Sequence, residues 1–458
     1  MKTILITIFH PFITKNILNT DVFKVLSGDK NLRIILVVPE LKESFFKDNY
    51  EKDKVLVVGV RNNQLLEEKN TKFLSRLSHL LIDANYPTYK RHERLDASDT
   101  PIAYVKFFGE TVLTKLLSGK RFINKIVRKY ALNSVRHREI VDLFDEYKPN
   151  TVFSTDIFDE SDCLFAIEAK RRKIFLVGMV RSWDNCYSKG LMRVIPDKLI
   201  VNNETIKEEA ISMHQVPKEY ISILGSPQYD IFINNQRTPH EVFFKSMNLD
   251  PLKKLITFAP AGRILSNTDG QTIEMLKKGI DTGKFKYPVQ FLIRNHPNHP
   301  ADVSAIVDRK DMVVEDPGKA FNKNPKDTEL TLSDTEHMAD ELFYSDIVMW
   351  VATTLGMDAI VFDKPQIAVD FDGYEKKPYY KSVRRYHDED HMKKMLALGG
   401  VTVVMSEDEL INAINRYLVE PSLHKEGREL VRKQQFYGLD GKAGERIGQY
   451  LVTLAQSL

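Results

Sequence analysis

At 458 residues the chain is too long for one ordinary core, so two domains are expected. Its 43% hydrophobic and 28% charged shares are those of a globular protein, and a net charge of +3 supplies no global basicity for nucleic acid. Two cysteines, Cys163 and Cys186, exclude a disulfide framework and a cysteine-rich zinc site, which fits a reducing, cytoplasmic setting.

The opening "MKTILITIFHPF" has no small-residue cleavage site and reads as a first buried strand, not a signal peptide. No stretch reaches the roughly 20 apolar residues of a membrane span. "TILITIF", "LRIILVV" and "VLVVGV" are short apolar runs without alternation, which suits parallel strands buried on both faces. Between them "TKNILNTDVFKVL", ending at Gly28, and "ELKESFFKDNYEKD" have helical spacing. From Leu65 to about Tyr147 the pattern turns long, helical and charged. "NTVFSTD", "IFLVGMV", "DKLIVNN" and "ISILG" then resume the strand rhythm.

Gly225-Ser226-Pro227 marks the exit from this first series, and "INNQRTPHEVFFKSMNLDPLKK" reads as a linker with a short helix. A second series follows in "KLITFAPAG", "VQFLIRNHP", "DMVVED", "DIVMWVA", "PQIAVDF" and "VTVVM". "NKNPKDTELTLSDTE" is the expected long loop, "EDELINAINRYL" an amphipathic helix and "GERIGQYLVTLAQSL" a closing helix. The expected architecture is α/β, with two Rossmann-like doubly wound domains and a helical insertion at about 65–147 in the first. The expected divisions are 1–232, 233–430 and a C-terminal helix, 431–458, packing back on the first domain.

Ligands of such sheets bind outside the carboxyl ends of the strands. In the second series those ends carry Gly262 and Arg263, Arg294 and His296, then Thr353, Thr354 and Gly356. Arginines, hydroxyls, a glycine and a helix N-terminus suit a diphosphate. Thr353 or Thr354 is expected to cap the helix, with Asp358 one turn in, where a carboxylate can accept from ribose hydroxyls. In the first series Asp184 in "RSWDN" is the candidate general base, with His10 and Asp156 as rivals. An Asx-type turn is the plainer reading of "SWDN".

Lys115–Arg138 holds eight Lys or Arg and no acid, interleaved with Phe122, Ile123, Ile126, Val127 and Tyr130. A basic amphipathic helix of that kind suits an anionic membrane surface, and a solvated helix face is the bland alternative. Asp370 and Asp372 form a D-x-D, "HDEDH" clusters polar groups, and His296 and His299 have metal-like spacing. Hard cations need several converging oxygens, and no metal is expected.

Two α/β series, the "R-N-H-P" strand end and "TTLGMDAIVFDKP" resemble GT-B-type glycosyltransferases, with bacterial surface-polysaccharide transferases and CDP-glycerol glycerophosphotransferases in the wider kinship. "RSWDNCYSKGLMRVIPDKLIVNNETIKEEAISMHQVPKEYISILGSPQYDIF" and the tail from "GGVTVVM" through "GLDGKAGERI" are similar to segments of such enzymes. The resemblance implies two domains facing across a cleft, with the acceptor on the first and the donor nucleotide on the second. It carries donor roles to Gly262, Arg294, His296, Thr353, Thr354, Gly356 and Asp358; Arg263 is added from its own position. "FHPFITKN" lacks the Gly-rich turn common in that fold.

The implied activity is a metal-independent transferase without a cofactor, moving a sugar from a UDP- or CDP-linked donor to a glycan or lipid-linked acceptor in surface polysaccharide synthesis. Three rival readings remain: a CDP-alditol glycerophosphotransferase, a UDP-GlcNAc 2-epimerase-like isomerase and a non-catalytic nucleotide- or glycan-binding subunit. The setting expected for all is cytoplasmic, with peripheral contact to the inner membrane face.

Overall fold

Each apolar run of the first series becomes a parallel strand: β1 (Lys2–Thr7), β2 (Leu32–Pro39), β3 (Val55–Val60), β4 (Thr151–Ser154), β5 (Phe175–Met179), β6 (Lys198–Val201) and β7 (Ile221–Ile223). The structure is a computed structural model that describes residues 1–98, 100–296, 299–320 and 328–457. Residues 322–327 of the expected long loop, and Pro297 of "R-N-H-P", lie outside the described residues.

The missing alternation has a direct cause. Leu5, Ile35 and Val37 join the core on one face of the sheet, while Ile4, Ile6, Ile34 and Leu36 join the core on the other. Successive side chains point to opposite faces, so a strand covered on both must be apolar throughout.

By its internal contacts the chain divides into one unit of Met1–Asp230 with Gln434–Leu458 and another of Ile231–Lys433. In the first, the strand order is β3-β2-β1-β4-β5-β6-β7. The chain winds outward from β1 to β3 and then restarts beside β1 at β4. The switch point therefore lies between β1 and β4, where ligands of doubly wound sheets bind. The segment between β3 and β4 is a run of helices, from Asn62–Glu67 to Arg138–Tyr147. The closing helix Ala443–Ser457 packs on helix Asp21–Gly28, and its first backbone N–H groups, of Ala443 and Gly444, donate to Asp230 at 3.1 and 2.6 Å.

The second unit holds β8 (Lys254–Ala259), β9 (Val289–Arg294) and β10 (Met312–Glu315), then a small antiparallel ribbon of β11 (Lys319–Ala320) and β12 (Thr328–Glu329). β13 (Ile347–Trp350), β14 (Gln366–Val369) and β15 (Thr402–Val404) complete it. The sheet order β10-β9-β8-β13-β14-β15 puts the second switch point between β8 and β13. Gly262-Arg263 and Thr353-Thr354 leave those two strands.

After β13 the chain passes through Ala352, at φ 45°, into the short helix Leu355–Ile360. A left-handed non-glycine residue is strained, and such strain collects at binding turns. Gly356 lets that helix come down on the sheet: the Trp350 indole Nε1 donates to Gln366 Oε1 at 2.9 Å, directly beneath it. A Cβ on Gly356 would lie 2.7 Å from Trp350 Nε1 and 3.1 Å from Gln366 Oε1. Gly356→Ala should therefore cost about 1–3 kcal/mol in overpacking, more than alanine's gain in a first helical turn. Urea unfolding followed by tryptophan fluorescence checks this; an unchanged midpoint would show that the glycine is not required by packing.

Candidate functional site

The carboxyl edge of the second sheet brings the expected donor residues together but gives them unequal work. Gly262 sits at φ 84°, and a Cβ there would lie 2.1 Å from the His299 carbonyl oxygen. Only glycine fits. Its N–H, expected for a phosphate, already donates to Asp269 Oδ2 at 2.7 Å. Arg263, the next residue, is exposed.

Arg294 is the largest departure from expectation. It is buried at the end of β9, and its Nη1 donates to Glu315 Oε2 at 3.0 Å and to Glu341. Burial lowers its pKa, against the pull of Glu315, Asp334 and Asp358. His337 Nε2 lies 3.3 Å from Glu315 and 3.6 Å from Glu341. Burial disfavours the Glu315 carboxylate, yet His337 and Arg294 hold its pKa below the usual range. Arg294 is thus the centre of a buried charge cluster, and the bidentate phosphate grip expected of it would have to compete with two carboxylates.

Among the described residues, Glu315, His337 and Glu341 bring ligand atoms within 4.8 Å of one another, a spacing that could hold a metal ion. The Arg294 guanidinium already supplies positive charge to both carboxylates. The D-x-D acids face protein: Asp370 meets His387 Nδ1 at 2.7 Å, and Asp372 accepts from the Val383 N–H at 3.0 Å.

Asp358 is buried in the first turn of its helix, within the field of Arg294. Thr354, at the cap position, makes no side-chain cap bond. Thr353 Oγ1 instead accepts from the Leu355 N–H, at a long 3.4 Å. The difference has a backbone cause: Thr354 is already helical at φ −73°, whereas a capping side chain needs an extended residue. Thr354 consequently stays exposed at the switch point. His296 stacks on His299, with centroids 5.3 Å apart, and burial together with His299 pushes its pKa down to about 4.

In the first unit His10 follows β1 and Asp156 follows β4, so these two flank the switch point. Asp156 is buried and holds Arg181 Nε at 2.8 Å and Asn185 Nδ2 at 3.0 Å. Arg181 lies over the Phe12 ring and, after burial itself, is the main cause that drives the His10 pKa well below 6.5; Lys189 and Lys42 add to it. His10 Nδ1 accepts from the Phe12 N–H at 3.2 Å, so the neutral ring carries its proton on Nε2. Asp184 follows β5, one strand away from the switch point. Its oxygens accept from Ser182 Oγ and from Ser188 Oγ, the latter at 2.7 Å, which makes it the hub of its own turn.

Sequence reading missed a cavity of about 380 Å³ between the helical insertion and this edge. Arg76, Lys90, Arg91, Arg94 and Lys189 line it together with Glu110, Asp159 and Glu160, so cations outnumber acids there. Arg91 is buried, bonds to Thr114 and Thr88, and leaves Nε without a partner. Burial lowers its pKa. The basic residues of "YKRHER" were the available signal, but nothing in their spacing places them near β4.

Residues 180–453 match the family described as CDP-Glycerol:Poly(glycerophosphate) glycerophosphotransferase. The chain belongs to this family. No curated protein sequence matches it. Among solved structures it is similar to S. aureus MnaA with UDP, at TM-score 0.57 and 11% identity, covering 100% of this chain and 98% of that one. UDP-GlcNAc 2-epimerase from Methanocaldococcus jannaschii gives 0.53 and 13%, over 99% and 100%. The wall teichoic acid polymerase TagF soaked with CDPG gives 0.52 and 13%, over 100% and 89%. These likenesses establish the two-domain GT-B-like fold. Family membership accounts for the "SWDN" and "GLDGKAGERI" resemblances, which both fall inside the matched residues.

Asp269, which anchors Gly262, has its carboxyl pushed up to about 6 by burial. The folded state then holds this proton more tightly than the unfolded chain, whose value is about 3.9. Stability should fall as pH rises from about 4 to about 6, by about 3 kcal/mol, and then level off. Asn keeps an acceptor for the Gly262 N–H and does not titrate. The unfolding free energy of Asp269→Asn should therefore gain on the wild type across that window, and parallel profiles would refute the shift.

Proposed function

We propose that this chain is a CDP-alditol-dependent phosphotransferase acting on a phosphate-bearing acceptor in surface polymer synthesis. The family match across residues 180–453 carries the reading. It reverses the order set from sequence, where a sugar donor came first. In the proposed step an acceptor hydroxyl oxygen bonds to the β-phosphorus of the donor. The P–O bond to the bridging oxygen breaks, and CMP leaves with the electron pair. The transferred phosphoryl gathers charge, so hydrogen-bond donors and cations matter more than covalent catalysis.

Arg263, Thr353 and Thr354, the exposed or half-exposed groups at the β8–β13 switch point, are proposed to hold the donor phosphates, with His296 as a neutral neighbour. Asp358 is proposed for the ribose. The basic cavity containing Arg91 suits a phosphate-bearing acceptor. His10 is the better proton acceptor, since it stands at the β1–β4 switch point and is uncharged. Using Nε2 requires the ring proton to move to Nδ1, releasing the Phe12 N–H. Asp184 has both oxygens engaged within its own turn.

The test offers CDP-glycerol and UDP-GlcNAc to the purified chain, with and without a phosphate-bearing acceptor, and measures CMP and UDP. CMP should appear from CDP-glycerol, only with acceptor, and should persist in EDTA. His10→Gln should lower its rate about 10²–10⁴-fold while Asp184→Asn stays within about tenfold. Acceptor-dependent UDP release would restore the sugar transferase. Consumption of UDP-GlcNAc without acceptor would make the chain an isomerase, and no turnover with no nucleotide binding would make it a binding subunit.

A further inference from the structure

The amino edge of the second sheet carries a cavity of about 550 Å³ that the donor reading does not use. Its walls include Lys254, which opens β8, Asp346, which precedes β13, and Pro365, which precedes β14. These strands are parallel, so the cavity lies at the opposite end of the sheet from Arg263 and Thr354. The length of β8 sets the two edges roughly 20 Å apart.

Five cations and two acids line this cavity. Both acids are taken: Asp346 pairs with Lys254 at 2.9 Å, and Asp363 pairs with Arg428 at 2.7 Å. Arg428 also donates to the carbonyls of Leu423 and Pro421, which makes it part of the wall. Among the described residues, no carboxylate lies within ion-pair distance of Lys253, Lys364 or Lys425. Lys364 is half-buried, with Nζ 5.6 Å from the centroid of the Phe343 ring, and burial lowers its pKa against the pull of Asp346 and Asp363. Lys425 opens the helix Lys425–Gln435, the end at which a helix dipole disfavours a cation, so local helix electrostatics does not account for it. Three like charges gathered without counterions raise the energy of the folded chain, and an anion among them lowers it. Lysines meet phosphate as point charges, without the planar match of arginine, so the cluster selects charge density over shape. The Phe343 ring, 41% exposed, gives the remaining volume an apolar wall.

We propose that this cavity is a second ligand site, separate from the donor edge, that takes a small phosphate-bearing anion between Lys253, Lys364 and Lys425. One short stretch of chain joins the two edges: the helix Leu355–Ile360 starts beside Thr354 and runs into Phe362, Asp363 and Lys364 of the cavity wall, with Asp363 at φ 52°. The site holds whichever donor the chain uses.

Brief acetylation of the full chain at mildly alkaline pH, read lysine by lysine by peptide mass spectrometry, tests the site. Pyrophosphate and CMP are the probes, in separate arms that tell an inorganic source from a nucleotide, with ionic strength held constant by chloride. At about ten times its dissociation constant, a bound probe should slow labelling of Lys253, Lys364 and Lys425 about tenfold, and leave Lys24, 83% exposed in the first unit, unchanged. Arg263→Ala should keep this protection in full. Lys253→Gln with Lys425→Gln should raise the probe concentration that protects Lys364 about tenfold or more, with the urea midpoint unchanged. Unchanged labelling with both probes, or equal protection by chloride alone, would overturn the proposal. So would protection that Arg263→Ala removes, which would trace it to the donor edge, or protection that Lys253→Gln with Lys425→Gln leaves at wild-type strength.

Discussion

A parallel sheet covered on both faces has no lateral place for charge, so charged groups collect at the ends of its strands, and ligand chemistry at the carboxyl ends. Both units obey that constraint. Asp156 and Arg181 pair at the edge of the first sheet, and Arg294, Glu315 and Glu341 pair at the edge of the second. These clusters sit beside the switch points and commit their own charges to one another. Breaking such a buried pair from one side typically costs about 3–5 kcal/mol, because the partner charge is stranded. The proposed contacts use groups outside these pairs: Arg263 and Thr354 in one unit, His10 in the other.

The strands were legible because burial on both faces writes itself into sequence as unbroken apolar runs. The three strand ends of the second series do meet along one edge, as the runs implied. The partners of Arg294 were not legible. Glu315 comes from β10, and His337 and Glu341 from a helix more than forty residues after Arg294, so only the tertiary fold joins them. Gly356 looked like a phosphate glycine because its neighbours are Thr353 and Thr354; its requirement comes from Trp350, six residues upstream. "SWDN" was ambiguous for a physical reason, since a turn-forming aspartate and a catalytic one share the same local chemistry.

The helical insertion was legible only as long, helical and charged. An apolar stripe at helical spacing is read as core by default, and "PIAYVKFFGETVLTKLL" has such a stripe. Sequence cannot say which face of a helix meets the protein. Here Arg91 and Arg94, on the preceding helix, claim the polar face through Thr114 and Glu110, and the apolar face is turned out. Glu110 of this helix also lines the cavity, so the cavity and the exposed apolar residues lie on two sides of one helix.

The division of labour at the second switch point is the central claim, and titrating CDP into Arg263→Ala tests it most directly. Loss of one charge-assisted phosphate contact should weaken binding by about 1.5–3 kcal/mol, with the urea midpoint unchanged. Wild-type affinity for CDP in that variant would contradict the account and return the phosphates to Arg294.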